Sequence, residues 1–225
     1  MTVSLNKSRN SMVATHGFRA EAVFCSQEDV QTALEIYFGK AIKSRFRIHG
    51  KKGDVQIEFV NGTKVILQNK DGNGKGRGWS VDRRSVEGYE PECKPLLKTL
   101  CLKQGTERPV VGAVISKQVI HRGVMGTDEI YCPHYFTHTM LDKVTGKIVS
   151  LSICPTEKLM NCLYSELYSE MVPKRTCVHL SPNIYLQRKG GGKKDHSPDD
   201  IQMKFRFTES VEKLYTLIFP KTILQ

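Results

Sequence analysis

Two features are missing from the sequence: a paired cysteine motif and a long apolar run. Its seven cysteines are an odd number and include no Cys-x-x-Cys pair, so we expect free thiols in a reducing, intracellular setting. No apolar stretch reaches the ~18 residues that a transmembrane helix requires. The N-terminus also lacks a hydrophobic segment of the secretory type. These absences predict a cytoplasmic protein without a membrane span.

Acidic side chains are few relative to basic ones. The chain has 34 Lys and Arg residues against 23 Asp and Glu, which gives a net charge of +11 and a pI near 9.3. Basic residues recur from Lys7 to Lys221 instead of forming one tail, with concentrations at 40–52, 70–84 and 188–194. Such a distributed excess favours a polyanionic partner, above all nucleic acid, over a basic protein whose charges are merely solvated.

The length and composition of the chain suit one packed core. The 225 residues have a hydrophobic content of 39%, which suffices for a globular domain. Residues 1–17 are polar and without periodicity, so we predict a flexible N-terminal arm there. Residues 18–225 are predicted to form a single domain.

The segment from Asp54 to Lys70 has the pattern of a β-hairpin. Apolar and polar residues alternate over 54–59, which is typical of a half-buried strand. Asn61-Gly62 predicts a two-residue turn, and the β-branched, apolar run over 63–68 predicts the second strand. Antiparallel pairing then brings the two ends of the segment to the same end of the sheet.

Three side chains with useful chemistry meet at that end of the predicted sheet: Asp54, Gln68 and Lys70. A carboxylate and an amide can hold Mg²⁺ through their oxygens, and an ammonium group can lie beside an attacking water. Hydrolysis of a phosphodiester bond requires these parts. We therefore predict all three as catalytic residues, with Asp54 and Gln68 as metal ligands. The structural alternative is a polar-tipped hairpin with a solvated lysine.

These residues resemble the motif of the PD-(D/E)xK nuclease superfamily. The family pattern is an Asp, a hairpin-length gap and then (D/E)-x-K, which Asp54 and Gln68-Asn69-Lys70 match. Gln in place of the middle acid is common in the Mrr-like branch, whereas Gly53 stands where the family usually has Pro. The resemblance covers residues 26–79.

The resemblance implies a fold and an activity. The fold is restriction-endonuclease-like, of the α/β (α+β) class, with a mixed central β-sheet flanked by helices. The activity is that of a Mg²⁺-dependent, sequence-specific endonuclease of the type II restriction kind, acting on double-stranded DNA. Such enzymes usually act as homodimers, because two-fold protein symmetry matches a palindromic site.

Further acids could complete the site. A helix predicted over 26–41 carries Glu28 and Glu35, and the resemblance implies an additional acid from such a helix. Glu35 is preferred because it lies beside the apolar face, while solvated helix carboxylates are the alternative. Glu58 shares the polar side of its strand with Asp54 and is a second candidate.

Basic and amide side chains after the hairpin are candidates for DNA contacts. A Gly-rich loop and the segment behind it offer cations to the phosphate backbone. In the C-terminal half, a second Gln-x-Lys at 187–189 echoes the first, and we expect the two strand ends to lie side by side in one cleft. Its Gln and Arg can bond adenine and guanine edges. The candidate DNA-binding residues are Lys75, Arg77, Arg83, Arg84, Gln187, Arg188, Lys189, Lys193, Lys194 and His196.

The remaining patterns predict further elements. Helices are predicted over 91–104, 155–171 and 208–219, strands over 43–49, 109–120 and 201–207, and a hairpin over 141–153. Trp79 is expected to anchor the chain, with base stacking as the alternative.

One histidine-rich segment has the spacing of metal ligands. Cys132, His134 and His138 fall within the spacing found in zinc sites, but no second ligand pair accompanies them. We therefore do not predict a zinc site there.

Two other functions are compatible with the sequence. His196 and Asp199 resemble the His-x-x-Asp of half-pipe restriction enzymes, which excise a base instead of hydrolysing phosphate. In that case the hairpin is merely structural. The third possibility is a nucleic-acid-binding protein without catalytic activity.

Overall fold

The chain folds into two compact units. The computed structural model describes residues 9–72, 79–89, 91, 94–101, 117–174, 177–188 and 200–219. The first unit comprises Met1–Lys75, Asp128–Thr156 and Tyr215–Gln225, and the second comprises Gly76–Thr127 and Glu157–Leu214. Each unit is assembled from segments distant in sequence, which length and hydrophobic content alone do not indicate. The sequence had predicted one domain over 18–225.

The elements have the following bounds. The described helices are α1 (Arg9–Ser26), α2 (Glu28–Phe38), α3 (Lys94–Cys101), α4 (Lys117–Met125), α5 (Thr156–Ser165) and α6 (Glu209–Glu212). The described strands are β1 (Ile42–Arg47), β2 (Val55–Phe59), β3 (Lys64–Asp71), β4 (Trp79–Ser85), β5 (Tyr135–Leu141), β6 (Ile148–Pro155), β7 (Val172–Lys174), β8 (Cys177–His179), β9 (Ile184–Arg188), β10 (Asp200–Phe205) and β11 (Thr216–Phe219). Within the described ranges, no helix combines the length and apolar character needed to cross a lipid bilayer.

The first unit is built on a mixed six-stranded sheet. Its strand order is β1-β2-β3-β5-β6-β11, in which β3 and β5 run parallel and the other neighbours antiparallel. Helices α1 and α2 bury Phe24 and Leu34 against Val55, Ile57 and other apolar residues of this sheet. The predicted α/β (α+β) class, with a mixed central sheet flanked by helices, is confirmed.

The β2–β3 hairpin turns through three residues instead of the predicted two. The Phe59 N–H donates to the Thr63 carbonyl at 2.9 Å, which leaves residues 60–62 as the loop. Gly62 has φ +82°, the left-handed conformation that ends a common three-residue loop. The Asn61 carboxamide oxygen accepts from the Thr63 N–H at 3.0 Å and holds the loop in this shape.

The extra loop residue sets the register of the hairpin. Val55 lies opposite Leu67, so the next position along places Asp54 beside Gln68. A two-residue turn would have placed Asn69 there and turned the neighbouring side chains of β3 to the other face. The predicted grouping of Asp54 with the Gln-x-Lys therefore depends on a loop one residue longer than predicted.

The second unit contains an antiparallel five-stranded sheet that the sequence did not predict. Its strand order is β4-β10-β9-β8-β7. Helix α3 contacts β9 and β10, and α4 contacts β4. Leu186 and Met203 are fully buried on the face that these helices cover, and Gly123 of α4 lies directly over the Met203 thioether. The predictions of a helix within 91–104 and a strand at 201–207 are confirmed by α3 and β10.

Several element predictions differ from the structure. Part of the predicted arm is helical, because α1 begins at Arg9. Residues 117–120, predicted as strand, begin α4, where Val119, Ile120 and Val124 form a buried helical face. The predicted helix over 208–219 is a short helix, α6, followed by β11, because pairing with β6 overrides the local pattern.

Candidate active site

Asp54 is the residue immediately before β2, and the backbone fixes it on both sides. Its N–H donates to the Leu67 carbonyl at 2.8 Å, and its carbonyl accepts from the Ile48 N–H at 2.9 Å. Its carboxylate oxygen Oδ2 accepts from the Asn69 N–H at 2.8 Å and from the Gln68 side-chain amide. The carboxylate is thereby tied to the end of β3.

The charge of Asp54 is set by burial and by two lysines. Burial raises the pKa of the Asp54 carboxyl, while the positive charge of Lys70, the two hydrogen bonds from β3 and the charge of Lys52 act to lower it. The net effect is a raised pKa. The Lys70 ammonium therefore lies close enough to Asp54 to be its main cationic neighbour.

The end of β3 is anchored to β5 by polar contacts. Asn69 is buried, with 7% of its surface exposed, and its side-chain oxygen accepts hydrogen bonds from the hydroxyls of Thr137 at 2.9 Å and Thr139 at 3.3 Å. Gln68 is equally buried at 5%. These hydrogen bonds fix the end of β3, the strand on which Lys70 lies. The Lys70 side chain itself is half-exposed.

Lys70 lies opposite a histidine of the neighbouring strand. In the parallel β3–β5 pairing, its register partner is His138. Burial lowers the pKa of this imidazole, so it is neutral over a wider pH range than an exposed histidine. Its ring occupies the space beside Gly72, where a Cβ would lie 1.6 Å from the His138 Nε2.

The contacts of Gly53 explain why glycine, and not the proline usual in the nuclease motif, precedes Asp54. Its N–H donates to the Tyr131 carbonyl at 3.2 Å. A Cβ at this position would lie 2.1 Å from the Ile66 Cγ2 and 3.3 Å from the Tyr131 carbonyl oxygen. Proline has neither the N–H nor the small volume required, so the Pro usual in the family does not fit before Asp54 in this chain.

Glu21 is an acid of the site that the sequence did not predict. It lies on α1, and its Oε2 accepts from Arg47 on β1, with the guanidinium Nη2 at 3.0 Å. Burial raises the pKa of Glu21, and the charge of Asp54 raises it further, against the lowering effects of Arg47 and Lys70. The charges of Asp54 and Lys70 therefore both act on the Glu21 carboxyl.

A signal for Glu21 was available in the sequence. Ala20 and Phe24, four residues apart and both fully buried, mark the core face of α1. This spacing is helical, but a helix was predicted only over 26–41. An extended helix there would have placed Glu21 next to its core face.

The structure does not bring the two predicted additional acids to Asp54. Glu35 instead joins α2 to β1, because its Oε1 accepts from the Ile42 N–H at 2.8 Å. Glu58 lies four residues along β2 from Asp54, roughly 13 Å at the rise of a strand, and its Oε1 accepts from the Lys43 ammonium at 2.8 Å. Both carboxylates have structural partners away from the hairpin end.

The predicted DNA-binding residues separate into two groups. Lys75, Arg77, Lys189, Lys193, Lys194 and His196 lie outside the described residues, as does Asp199 of the alternative reading. Arg83, Arg84, Gln187 and Arg188 lie in the second unit, on β4 and β9. The two Gln-x-Lys segments were expected in one cleft; the first lies on β3 of the six-stranded sheet, and Gln187 and Arg188 of the second lie on β9 of the five-stranded sheet.

Neighbouring residues in these strands project to opposite faces of their sheet. Arg84 pairs in register with the buried Ile201. Its guanidinium bonds Asp82, with Nη2 at 2.5 Å from Oδ2, and lies over the Tyr89 ring at 5.0 Å. Arg188 also pairs with Ile201 and shares that covered face. Arg84 and Arg188 therefore lie on the covered face, whereas Arg83 projects from the opposite face.

Trp79 and His134 make structural contacts. Trp79 packs against Phe205 and Phe207, with ring centroids 5.7 and 5.1 Å apart, which is the anchoring arrangement. The His134 Nδ1 accepts from the Ile66 N–H at 3.0 Å, a backbone contact that a metal ligand could not make with the same atom.

The donor set at the hairpin end fits Mg²⁺ better than zinc. In the described part of the chain, no group of three or more His, Cys, Asp and Glu side chains is arranged to hold a metal. Mg²⁺ keeps several waters and needs only one or two carboxylates beside substrate phosphates. The carboxylates of Asp54 and Glu21 and the carboxamide oxygen of Gln68 are oxygen donors of this kind.

Comparison with known proteins finds similarity at the level of structure. No protein-family model matches the chain, and no curated protein sequence matches it. Among solved structures, the chain is similar to a restriction endonuclease. That structure is MspI in complex with its cognate DNA, with a TM-score of 0.45, 14% sequence identity and coverage of 82% of this chain and 82% of that chain.

Proposed function

We propose that the chain is a Mg²⁺-dependent DNA endonuclease that hydrolyses phosphodiester bonds at the end of the β2–β3 hairpin. The observation that carries this proposal is the hydrogen-bonded grouping of Asp54 with Gln68, with the Lys70 charge beside it. A carboxylate with a raised pKa next to an ammonium group is typical of a catalytic centre. Burial of a carboxylate costs free energy even when hydrogen bonds and a nearby cation offset part of that cost.

Asp54 and Glu21 are proposed to provide the negative charge of the centre. Both pKa values are raised chiefly by burial, which makes ionisation costly, and the charge of Asp54 adds to that cost for Glu21. A divalent cation relieves that cost, which is the physical reason for expecting one here. When bound, Mg²⁺ supplies a Lewis acid that polarises the phosphate and lowers the pKa of a water.

Gln68 is proposed to position Asp54 without adding charge. Its side-chain amide donates to the Asp54 carboxylate, which leaves its carboxamide oxygen as a neutral donor to a cation. Because the middle position of the motif is uncharged, the centre depends more on a second acid. Glu21 on α1 takes that part in place of the expected Glu35 and Glu58.

Lys70 is proposed to orient the attacking water and to stabilise the charge that develops on the phosphate. It is half-exposed at the end of a strand that buried hydrogen bonds hold in place. A preorganised cation of this kind stabilises a transition state without reorganisation. In the reaction, the water oxygen bonds to phosphorus as one P–O bond breaks, which leaves a phosphate on one end and a hydroxyl on the other.

The proposed substrate is double-stranded DNA, and cleavage is proposed to be sequence-specific and performed by a homodimer. The net charge of +11 supports a polyanionic substrate. Two-fold symmetry of the protein would match a palindromic site. The base-excision alternative depends on His196 and Asp199, and no described contact favours it.

The test is incubation of supercoiled plasmid with the purified protein, in Mg²⁺ and in EDTA, followed by analysis of the ends. The proposal expects nicked or linear DNA in Mg²⁺ only, with ends that a ligase can rejoin. Strand loss that persists in EDTA and depends on abasic sites would instead identify base excision. A gel shift at low salt with intact DNA in both buffers would identify a binding protein without activity.

A further inference from the structure

The five-stranded sheet of the second unit has one face covered by helices and a second face that carries exposed or partly exposed polar side chains along β4 and β10, with Tyr185 and His179 buried farther along it. Residues Leu186, Ile201 and Met203 alternate along β9 and β10, are fully buried and lie under α3 and α4. The residues between them project to the other side. Antiparallel sheets commonly bury one face and leave the other in contact with solvent.

A row of polar side chains crosses this second face at one level. Arg83 on β4 is the register partner of Gln202 on β10, and Gln202 is the register partner of Gln187 on β9. We name these three residues the polar row. Arg83 is exposed, and the two glutamines are partly exposed.

Further cations lie next to the polar row on the same strands. Lys204 follows two residues after Gln202 on β10, so it projects from the same face. The exposed Arg206 lies over the ring of Tyr185 at 4.9 Å. The Gln202 amide is itself oriented, because it donates to the Ser80 hydroxyl at 2.5 Å. The face therefore combines an oriented amide with positive charge.

We infer that the polar row reads base edges in the major groove of double-stranded DNA. This inference rests on the proposed function, because it assigns the specificity surface of the same enzyme. Arginine bonds guanine O6 and N7 with its two-pronged guanidinium, and glutamine bonds adenine N6 and N7. Lys204 and Arg206 supply the charge that holds a phosphate backbone nearby.

The dimensions of the polar row suit that groove. Adjacent strands lie roughly 4.8 Å apart, so three strands span about 10 Å. The major groove is about 12 Å wide and admits a two-stranded β-ribbon. Strand β4 is an edge of its sheet, so the β4–β10 pair with Arg83 and Gln202 lies where such a ribbon can enter.

The contrast between two consecutive arginines supports the assignment. Arg84 lies on the covered face, where it bonds Asp82 and lies over the Tyr89 ring. Arg83 is exposed on the opposite face. Only one residue of this pair is thus placed to contact a ligand from the polar side of the sheet.

The test is a selection of bound duplexes from a random-sequence DNA pool in EDTA, where metal-dependent cleavage does not occur. The variants are Arg83→Lys, Gln187→Ala and Gln202→Ala. Arg83→Lys keeps the charge but loses the two-pronged geometry. The matched controls are Arg122→Lys and Gln118→Ala, both exposed on α4, which contacts the sheet. Plasmid cleavage in Mg²⁺ is measured in parallel for each protein.

The inference expects the wild-type protein to enrich a defined sequence and each row variant to lose discrimination at one position, by roughly five- to hundredfold per contact. The α4 controls should keep the wild-type sequence. Enrichment that the row variants leave unchanged, absence of any enriched sequence, or preferred binding of duplex RNA would overturn it. Cleavage retained with unchanged enrichment would refute the inference alone, whereas enrichment without any cleavage would refute only the proposed function.

Discussion

A substitution at Gly53 is expected to damage both the stability of the protein and its candidate site. A Cβ there would lie 2.1 Å from the Ile66 Cγ2, which belongs to a buried side chain on β3. Overpacking of this kind typically costs about 1–3 kcal/mol. Gly53→Pro also removes the N–H that donates to the Tyr131 carbonyl, which adds about 1–3 kcal/mol for a polar group left without its partner.

The assay is thermal unfolding followed by circular dichroism. At about 2–4 °C per kcal/mol for a chain of this size, Gly53→Ala should lower the unfolding midpoint by about 2–12 °C, and Gly53→Pro should lower it further. Gly88→Ala is the control, because the nearest atoms to its Cβ would be those of the Arg84 side chain, at 3.2 Å or more, instead of 2.1 Å. Cleavage should fall in the Gly53 variants, since Asp54 is the next residue.

Two results would refute this reasoning. If Gly53→Ala unfolds at the wild-type midpoint, the contact with Ile66 does not constrain the chain. If Gly53→Pro is no less stable than Gly53→Ala, the hydrogen bond to Tyr131 contributes nothing.

Three further predictions concern the residues around the site. Burial raises the pKa of Asp54, so the folded state binds its proton more tightly, and the stability of the protein falls as pH rises from the unfolded-state to the folded-state pKa. Asp54→Asn should therefore unfold at a higher midpoint than wild type at neutral pH. A difference in midpoint that does not shrink on acidification would contradict this. Asn69→Ala removes the oxygen that accepts from Thr137 and Thr139 and should cost about 1–3 kcal/mol in denaturant titrations, whereas an unchanged midpoint would show that these hydroxyls find other partners. Glu21→Gln removes a negative charge near Asp54. Half-maximal cleavage should then need more Mg²⁺, and the acidic limb of the pH–rate profile should move to lower pH. Mg²⁺ titrations and pH–rate profiles identical to those of the wild type would exclude Glu21 from the site.

The local elements of the site could be predicted from the sequence, but the register could not. Alternation over 54–59 and the Asn61-Gly62 signal correctly predicted the hairpin. The number of loop residues depends on whether Phe59 or Val60 pairs across the turn, and nothing in the local sequence decides this. The grouping of Asp54 with Gln68 follows from that choice, because one residue of slip reverses the faces of a strand.

The acids that surround Asp54 could not be predicted because they depend on tertiary packing. Glu35 fits the helical pattern, yet its carboxylate serves the backbone of Ile42. Glu21 lies on a helix whose beginning was predicted as an arm, and it reaches the site only through the packing of α1 on β1 and β3. The assignment of Gln68 and Gln187 to different sheets likewise depends on tertiary structure.

The most direct test of the central claim compares Lys70→Ala with Lys64→Ala in single-turnover cleavage at saturating Mg²⁺. Both lysines lie on β3, but Lys64 is exposed at the turn end of the hairpin and Lys70 lies beside Asp54. We expect a loss of at least about 10²-fold for Lys70→Ala and a rate close to wild type for Lys64→Ala. Equal rates in the two variants would contradict the assignment of the hairpin end as the catalytic centre.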